Sequence, residues 1–179
     1  MIDRNTLALA TIIQDLLLFS RNVRAELKIE RRPIDLRDVV RKAVVSIEPL
    51  LAQKNVTLQI AEGPPIPCAG DAARLQQVIW NLLTNAVKFT PAGGRVSIAY
   101  ECTSDYAGFI VTDTGEGISP DLLDTMFDPF RQGAVHSTGG LGLGLAIVRQ
   151  IVEAHGGTIN AASGGPDSGA SFTVRLPST

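Results

Sequence analysis

Through the first thirty residues Leu9, Ile12, Leu16, Phe19 and Val23 recur at spacings of three and four, with no proline or glycine among them. That is the seam of a helix packing on other helices. Ile13, Leu17 and Leu27 widen the seam beyond a two-stranded coiled coil, toward a bundle. A partner helix, from this chain's parent or from another chain, is expected to cover it; the alternative is that the helix folds back on its own domain. Pro33 ends this element, and Asp35 is placed to cap a second helix from Leu36 to about Lys54. "VTLQIA" alternates as a half-buried strand, and "EGPPIPCAG" reads as loop with at most a short strand.

Asp71 opens a third helix, in which Leu75, Val78, Ile79, Leu82, Ala86 and Phe89 form one stripe at helical period. "GRVSIAYECT" and "YAGFIVTDTG" predict an antiparallel pair turning near Ser104-Asp105, and Ser119-Pro120 starts a helix with proline in its first position. Glycine-rich sequence runs to Gly144, followed by a helix to about Ala154. "GTINAAS" and "GASFTVRL" then close as a hairpin around "GGPDSG". Helices and strands mix without βαβ alternation, which predicts one mixed sheet covered by helices.

Beside its apolar stripe the third helix carries Arg74, Asn81, Asn85 and Lys88 in a row along one edge. Asn85 lies nearest the apolar side and is expected to be half-buried, where an amide needs partners. One such asparagine could bond neighbouring backbone, but a row ending in lysine asks for more. An amide oxygen is a hard ligand for magnesium, and an ammonium suits the phosphates that accompany it.

Two glycine-bearing stretches extend this chemistry. In "DTGEGI", Asp113 to Ile118, closely spaced glycines let the backbone turn sharply, and an aspartate at a strand end accepts from the exocyclic amine of adenine. Alone, the motif fits ordinary hairpins and calcium loops equally well. In "GGLGLGLAIV", Gly139 to Val148, glycines alternate with leucines into a helix N-terminus, a phosphate site by geometry and dipole. It is neither a dinucleotide fingerprint nor a P-loop. Between the two, "FDPFRQGAVHSTGG" has the composition of a lid hinged on Phe127 and Phe130. His136 within it reads as solvated, and His155 as a cation terminating its helix.

Composition narrows the choices. With 179 residues, 45% hydrophobic and 19% charged, the chain can build one packed domain plus an extension. The net charge of −2 argues against a nucleic-acid binder, and the basic residues of the first quarter read as a solvated face. Cys68 and Cys102 fit no metal spacing and read as buried or half-buried residues of a reducing compartment. Leu7 to Phe19 is too short to span a bilayer and lacks a cleavage pattern, so a cytoplasmic chain without membrane insertion is expected, although its parent could be membrane-anchored.

Taken in order, these segments resemble the nucleotide-binding boxes of the sensor histidine kinase ATP-binding domain, in the superfamily that also holds gyrase, Hsp90 and MutL. The resemblance covers roughly Ile34 to Leu176. It implies an α+β fold, the two-layer α/β sandwich of the Bergerat type, with a mixed sheet and helices on one face. Residues 1–32 would be part of a dimerisation and histidine-phosphotransfer hairpin, and 33–179 the catalytic domain. ATP and Mg2+ are the implied cofactors. Asn85 would bind the metal; Asn81 and Lys88 would serve the phosphates as catalytic residues. Asp113 would bond adenine, with Gly115 and Gly117 shaping its pocket. Phe127 and Phe130 would form an aromatic box, and Gly140, Gly142 and Gly144 would let lid and helix meet the triphosphate.

Within the superfamily, hydrolysing members carry a glutamate one turn before the magnesium asparagine. Asn81 stands there, a poor general base, so the resemblance implies that ATP is held for transfer. "IIQDLLLFSRNVRAELKIERRPIDL" is similar to the second helix of the phosphotransfer hairpin. The helix with the acceptor histidine is missing, and neither His136 nor His155 has its context. The implied partners are a histidine-bearing hairpin, a response-regulator receiver domain reached through the parent, and a second copy of a homodimeric parent. The alternatives are a stand-alone serine kinase of the anti-sigma type and a non-catalytic ATP-binding or dimerisation module. Against the last, Asn85 and Asp113 both stand intact.

Overall fold

The computed structural model describes residues 27–131 and 141–178. The Leu9–Val23 seam, Gly140 and most of the expected lid, His136 included, lie outside them. Leu27 is described, is not helical, and packs against the domain's own core. That corrects its assignment to a bundle seam: Leu27 belongs to the domain.

Strand β1 (Arg32–Asp35) pairs antiparallel with β3 (Pro67–Gly70) in a separate two-stranded sheet. Pro33, read from sequence as a terminator, sits inside β1, where a short edge strand tolerates a missing N–H. Helix α1 (Leu36–Lys54) starts where Asp35 Oδ1 accepts from the Arg37 N–H at 3.0 Å, and the same oxygen accepts from Ile66 N–H at 3.0 Å. Asn55, with φ of 54°, ends it in the left-handed conformation that asparagine tolerates.

The main sheet joins β2 (Thr57–Ile60), β4 (Arg95–Cys102), β5 (Tyr106–Asp113), β6 (Thr158–Ala162) and β7 (Ala170–Pro177) in the order β2-β4-β5-β7-β6. β2 runs parallel to β4 and the other pairs are antiparallel, so the sheet is mixed as expected. Side chains alternate across it. Phe109, Val111, Phe172 and Val174 are buried on the face that meets the helices. The opposite face carries polar residues, among them Arg175, whose Nε donates to Glu101 Oε2 at 2.8 Å. Helix α2 (Ala72–Phe89) packs on β5 and α1 packs on α2; α3 (Pro120–Leu123) is a single turn; α4 (Gly144–Ala154) lies against α2 and β6. This is a two-layer α/β sandwich with helices on one face. Among the described residues no helix is long and apolar enough to cross a membrane.

Because α2 lies between the sheet and α1, its buried surface is wider than one stripe: Leu83 and Val87 are fully buried beside Leu75, Val78, Ile79 and Leu82. Phe89 departs from the expected stripe, standing 38% exposed at the helix end. Cys68 is buried, which pushes its thiol up to about 11, with Asp35 adding to the shift. Cys102 is exposed rather than half-buried, because it ends β4 at a turn.

The start of α2 is tied to the end of α4. Asp71 Oδ1 accepts from Ala73 and Arg74 N–H groups, while the Asp71 N–H donates to His155 Nε2 at 3.0 Å. His155 Nδ1 lies 2.7 Å from Ile151 O, a contact only an N–H can make. The ring is therefore the neutral Nδ1–H tautomer, its Nε2 an acceptor. It does terminate α4, but as a neutral group and not as the expected cation, because it is 1% exposed.

Burial lowers the His155 pKa, and Arg31 lowers it further, against the raising effects of Ile151 and Asp71. A folded pKa below the unfolded one favours the neutral ring, so this contribution is complete above the unfolded value of about 6.5. It is lost as pH falls through the lowered folded value. The urea midpoint is therefore expected to drop as pH falls from 7 to 5, and His155→Gln should remove part of that dependence. Identical pH profiles for the two proteins would contradict the tautomer assignment.

Candidate nucleotide site

The polar edge of α2 is where sequence and structure meet. Asn81 is 8% exposed, and Asn85 and Lys88 are half-buried. Among the described residues neither side-chain amide has a hydrogen-bond partner. Their polar atoms reach solvent at the edge of the helix, which leaves both amides open to a ligand. A Cβ on Gly144 would stand 3.5 Å from Asn81 Oδ1, so the first residue of α4 abuts the row. Leu143 provides no side-chain cap there. The N–H groups of the first turn of α4 thus lie beside the amides, an anion-accepting arrangement.

The C-terminal turn of α2 is held from three directions. Ala86 O accepts from both the backbone N–H and the Oγ1 of Thr90, the latter at 2.6 Å. Lys54, at the end of α1, donates from Nζ to Val87 O at 2.9 Å and also to Lys88 O. Phe89 O accepts from Glu116 N–H at 3.1 Å. Every carbonyl of the last turn is satisfied, which fixes the backbone that carries Asn85 and Lys88. Burial lowers the Lys88 pKa, and the neighbouring Lys54 ammonium lowers it further.

Glu116 belongs to the loop after β5, so α2 and the aspartate loop are one unit. Asp113 is buried, and its Oδ1 accepts from Gly115 N–H at 2.8 Å and Ala170 N–H at 3.2 Å. Oδ2 takes no hydrogen bond from the described residues and remains an acceptor. Burial raises the Asp113 pKa, and the two backbone donors pull it part of the way back. Gly115 presses against α2: a Cβ there would meet Phe89 O at 2.4 Å. Gly117, with φ of 70°, presses the other way, its Cβ position only 2.0 Å from Gly165 O. Its close approach is to another loop of the protein.

Phe127 packs against the core, whereas Phe130 is 59% exposed with φ of 64°. Phe127 is half-buried, and the Phe130 N–H donates to Gly142 O at 3.0 Å. Gly142, with φ of 68°, would place a Cβ 2.6 Å from Arg131 O, so it too admits no side chain. The structure therefore joins Asn81 to Gly144, Phe89 to the Asp113 loop, and Phe130 to Gly142.

A family model described as "Histidine kinase-, DNA gyrase B-, and HSP90-like ATPase" matches residues 70–179. The chain belongs to this family. Within this ATPase family the relatives are sensor kinases. The sensor histidine kinase RcsC of Salmonella typhimurium is 40% identical over 174 residues, covering 94% of this chain and 18% of that protein. Full-length ShkA in complex with AMPPNP superposes with a TM-score of 0.84 at 31% identity, covering 96% of this chain and 36% of that one. Histidine kinase ThkA in complex with the response regulator TrrA gives 0.79 at 26% identity, covering 98% and 49%. The chain thus spans less than a fifth of the length of that curated relative, and it corresponds to the catalytic ATPase domain of such kinases.

Sequence reasoning missed Lys54, Thr90 and Glu116 as supports of α2. A lone lysine at a helix end carries no local signal; its role depends on where α1 meets α2. Lys54→Met is expected to lower the stability of the domain by about 1–3 kcal/mol in urea unfolding, because two carbonyls lose a charged donor. The same change should raise the Lys88 pKa, measured by NMR titration, since a neighbouring positive charge is removed. An unchanged Lys88 titration would contradict the contact.

Proposed function

We propose that the chain binds ATP with Mg2+ and holds it for transfer of the γ-phosphate to a histidine on a dimerisation hairpin. The observation that carries this reading is the pair of amides, Asn81 and Asn85, that lack hydrogen-bond partners among the described residues on a helix otherwise given to the core. The nucleotide complex of ShkA supports the ligand. Residues 33–179 are taken as the catalytic unit, and 1–32 as part of the hairpin and its exit.

Asn85 is the proposed metal residue. Among the described residues no group of three His, Cys, Asp or Glu could hold an ion. One amide oxygen is a fitting share for Mg2+, which keeps several waters and takes its other ligands from phosphate. When bound, the ion neutralises charge on the phosphate oxygens. Lys88 and Asn81 are assigned to the phosphates, and Gly140, Gly142 and Gly144 to the approach of lid and helix backbone. Asp113 Oδ2 is assigned to the adenine amine, in a pocket bounded by Gly115, Gly117, Phe127 and Phe130.

The choice of transfer over hydrolysis rests on Asn81. An amide does not deprotonate water, and general-base catalysis is worth roughly 10²–10⁴-fold. His155 is buried and bonded at both nitrogens, so it is no phosphate acceptor. The acceptor is assigned to the hairpin of the parent kinase, and the ThkA–TrrA complex supports a response regulator as the next partner.

Two measurements test this. In calorimetric titrations the chain is expected to bind ATP over GTP, with Mg2+ required for full affinity, and Asp113→Asn should weaken ATP binding by roughly tenfold. Equal ATP and GTP affinities would remove the adenine-reading role. With labelled ATP the chain alone should release little phosphate, and adding a histidine-bearing hairpin from its parent should produce acid-labile phosphoprotein. Rapid hydrolysis by the chain alone would overturn the transfer reading.

A further inference from the structure

The turn between β6 and β7, "SGGPDSG", closes a hairpin, yet it bonds more to the aspartate loop than a hairpin requires. Ile118 N–H donates to Ser163 Oγ at 3.0 Å, Asp167 N–H to Glu116 O at 2.7 Å, and Gly169 N–H to Gly115 O at 3.0 Å. Ala170 N–H reaches Asp113 Oδ1 itself. The two loops meet backbone to backbone: beside Gly117, Gly169 has φ of 67° and a Cβ position 2.1 Å from Asp113 O. No side chain could stand between them.

Ser163 is the hub of this contact. Its hydroxyl donates to Gly169 O at 2.6 Å and accepts from the N–H groups of Ile118 and Gly165, the latter at 3.3 Å. One proton given and two accepted use the full capacity of a hydroxyl. Ile118 is buried, so its N–H has no ready replacement from solvent. On the other side, the loop is pinned to α2 through Glu116 N–H and Phe89 O. Ser163 adds a side-chain tie to the backbone bonds of Asp167, Gly169 and Ala170 on this flank; without it Ile118 N–H loses its partner and those backbone bonds hold the turn alone.

We propose that Ser163 is a positioning residue for base recognition: through the β6–β7 turn it sets the backbone that aims Asp113, and so tunes adenine affinity without touching the nucleotide. This rests on the assignment of Asp113 to adenine. It also explains why Gly117 is bare: it faces the turn that holds the loop.

The test separates base from phosphate. ATP and inorganic tripolyphosphate are titrated, with Mg2+, into the unmodified chain, Ser163→Ala, Ser163→Thr and Ser168→Ala. Ser168 lies in the same turn, and its hydroxyl donates to Pro166 O at 3.4 Å. Ser163→Ala is expected to raise the Kd for ATP roughly fivefold to tenfold and to leave tripolyphosphate unchanged. Ser163→Thr should restore most of the ATP affinity, and Ser168→Ala should change neither ligand. If Ser163→Ala loses its cooperative thermal transition, Ser163→Cys, of similar shape with weak hydrogen bonding, takes its place.

An unchanged ATP Kd in Ser163→Ala, or an equal loss for both ligands, would overturn the proposal. If the unmodified chain shows no preference for ATP over tripolyphosphate, the adenine role of Asp113 fails first. That result is distinct from a preference that survives Ser163→Ala.

Discussion

Helix α2 fills the core and yet turns two amides, without hydrogen-bond partners among the described residues, toward its open edge. The rest of the domain holds α2, and with it Asn81 and Asn85, in place. Its apolar faces are taken up by the sheet and by α1. Its first turn is capped by Asp71 and tied to His155. Its last turn is satisfied by Thr90, Lys54 and Glu116. Each tie comes from a different part of the chain.

Helix α4 completes the frame. Its end meets the start of α2 at His155 and Asp71, and its start meets the middle of α2 at Gly144 and Asn81. At about 1.5 Å per residue the two stretches are nearly equal in length, so the helices lie antiparallel with matched ends. The exit from the N-terminal segment joins at this same corner. Glu30 N–H donates to Asp71 Oδ2 at 3.3 Å, and Arg31 donates to Ala154 O at 3.2 Å. Residues 30 and 31 and the candidate nucleotide site are thus linked through α2 and α4.

What the sequence disclosed was local in origin. Capping aspartates, apolar periods and alternating strands placed α1, α2, α4 and the main strands within a residue or so, and the amide row stood out because its residues lie on one helix. The losses were non-local. β1 was hidden by Pro33, whose tolerance depends on pairing with β3 at one edge. His155 read as a cation because its burial against Asp71 is a tertiary fact. Ser163 read as the last residue of a strand, since its partner Ile118 lies in a loop some forty-five residues away. Phe89 was assigned inward by its helical period, and it ends α2 where the core stops.

The central claim is that the amides of α2 meet a metal-bound nucleotide, and paramagnetic relaxation reads this directly. With Mn2+ in place of Mg2+ and ATP present, the side-chain amide resonances of the asparagines can be followed by NMR. The account predicts that the Asn85 signal is broadened most, Asn81 next, and Asn55 and Asn160 little, with no such pattern from Mn2+ alone. Uniform broadening, or a maximum at residues remote from α2, would contradict it.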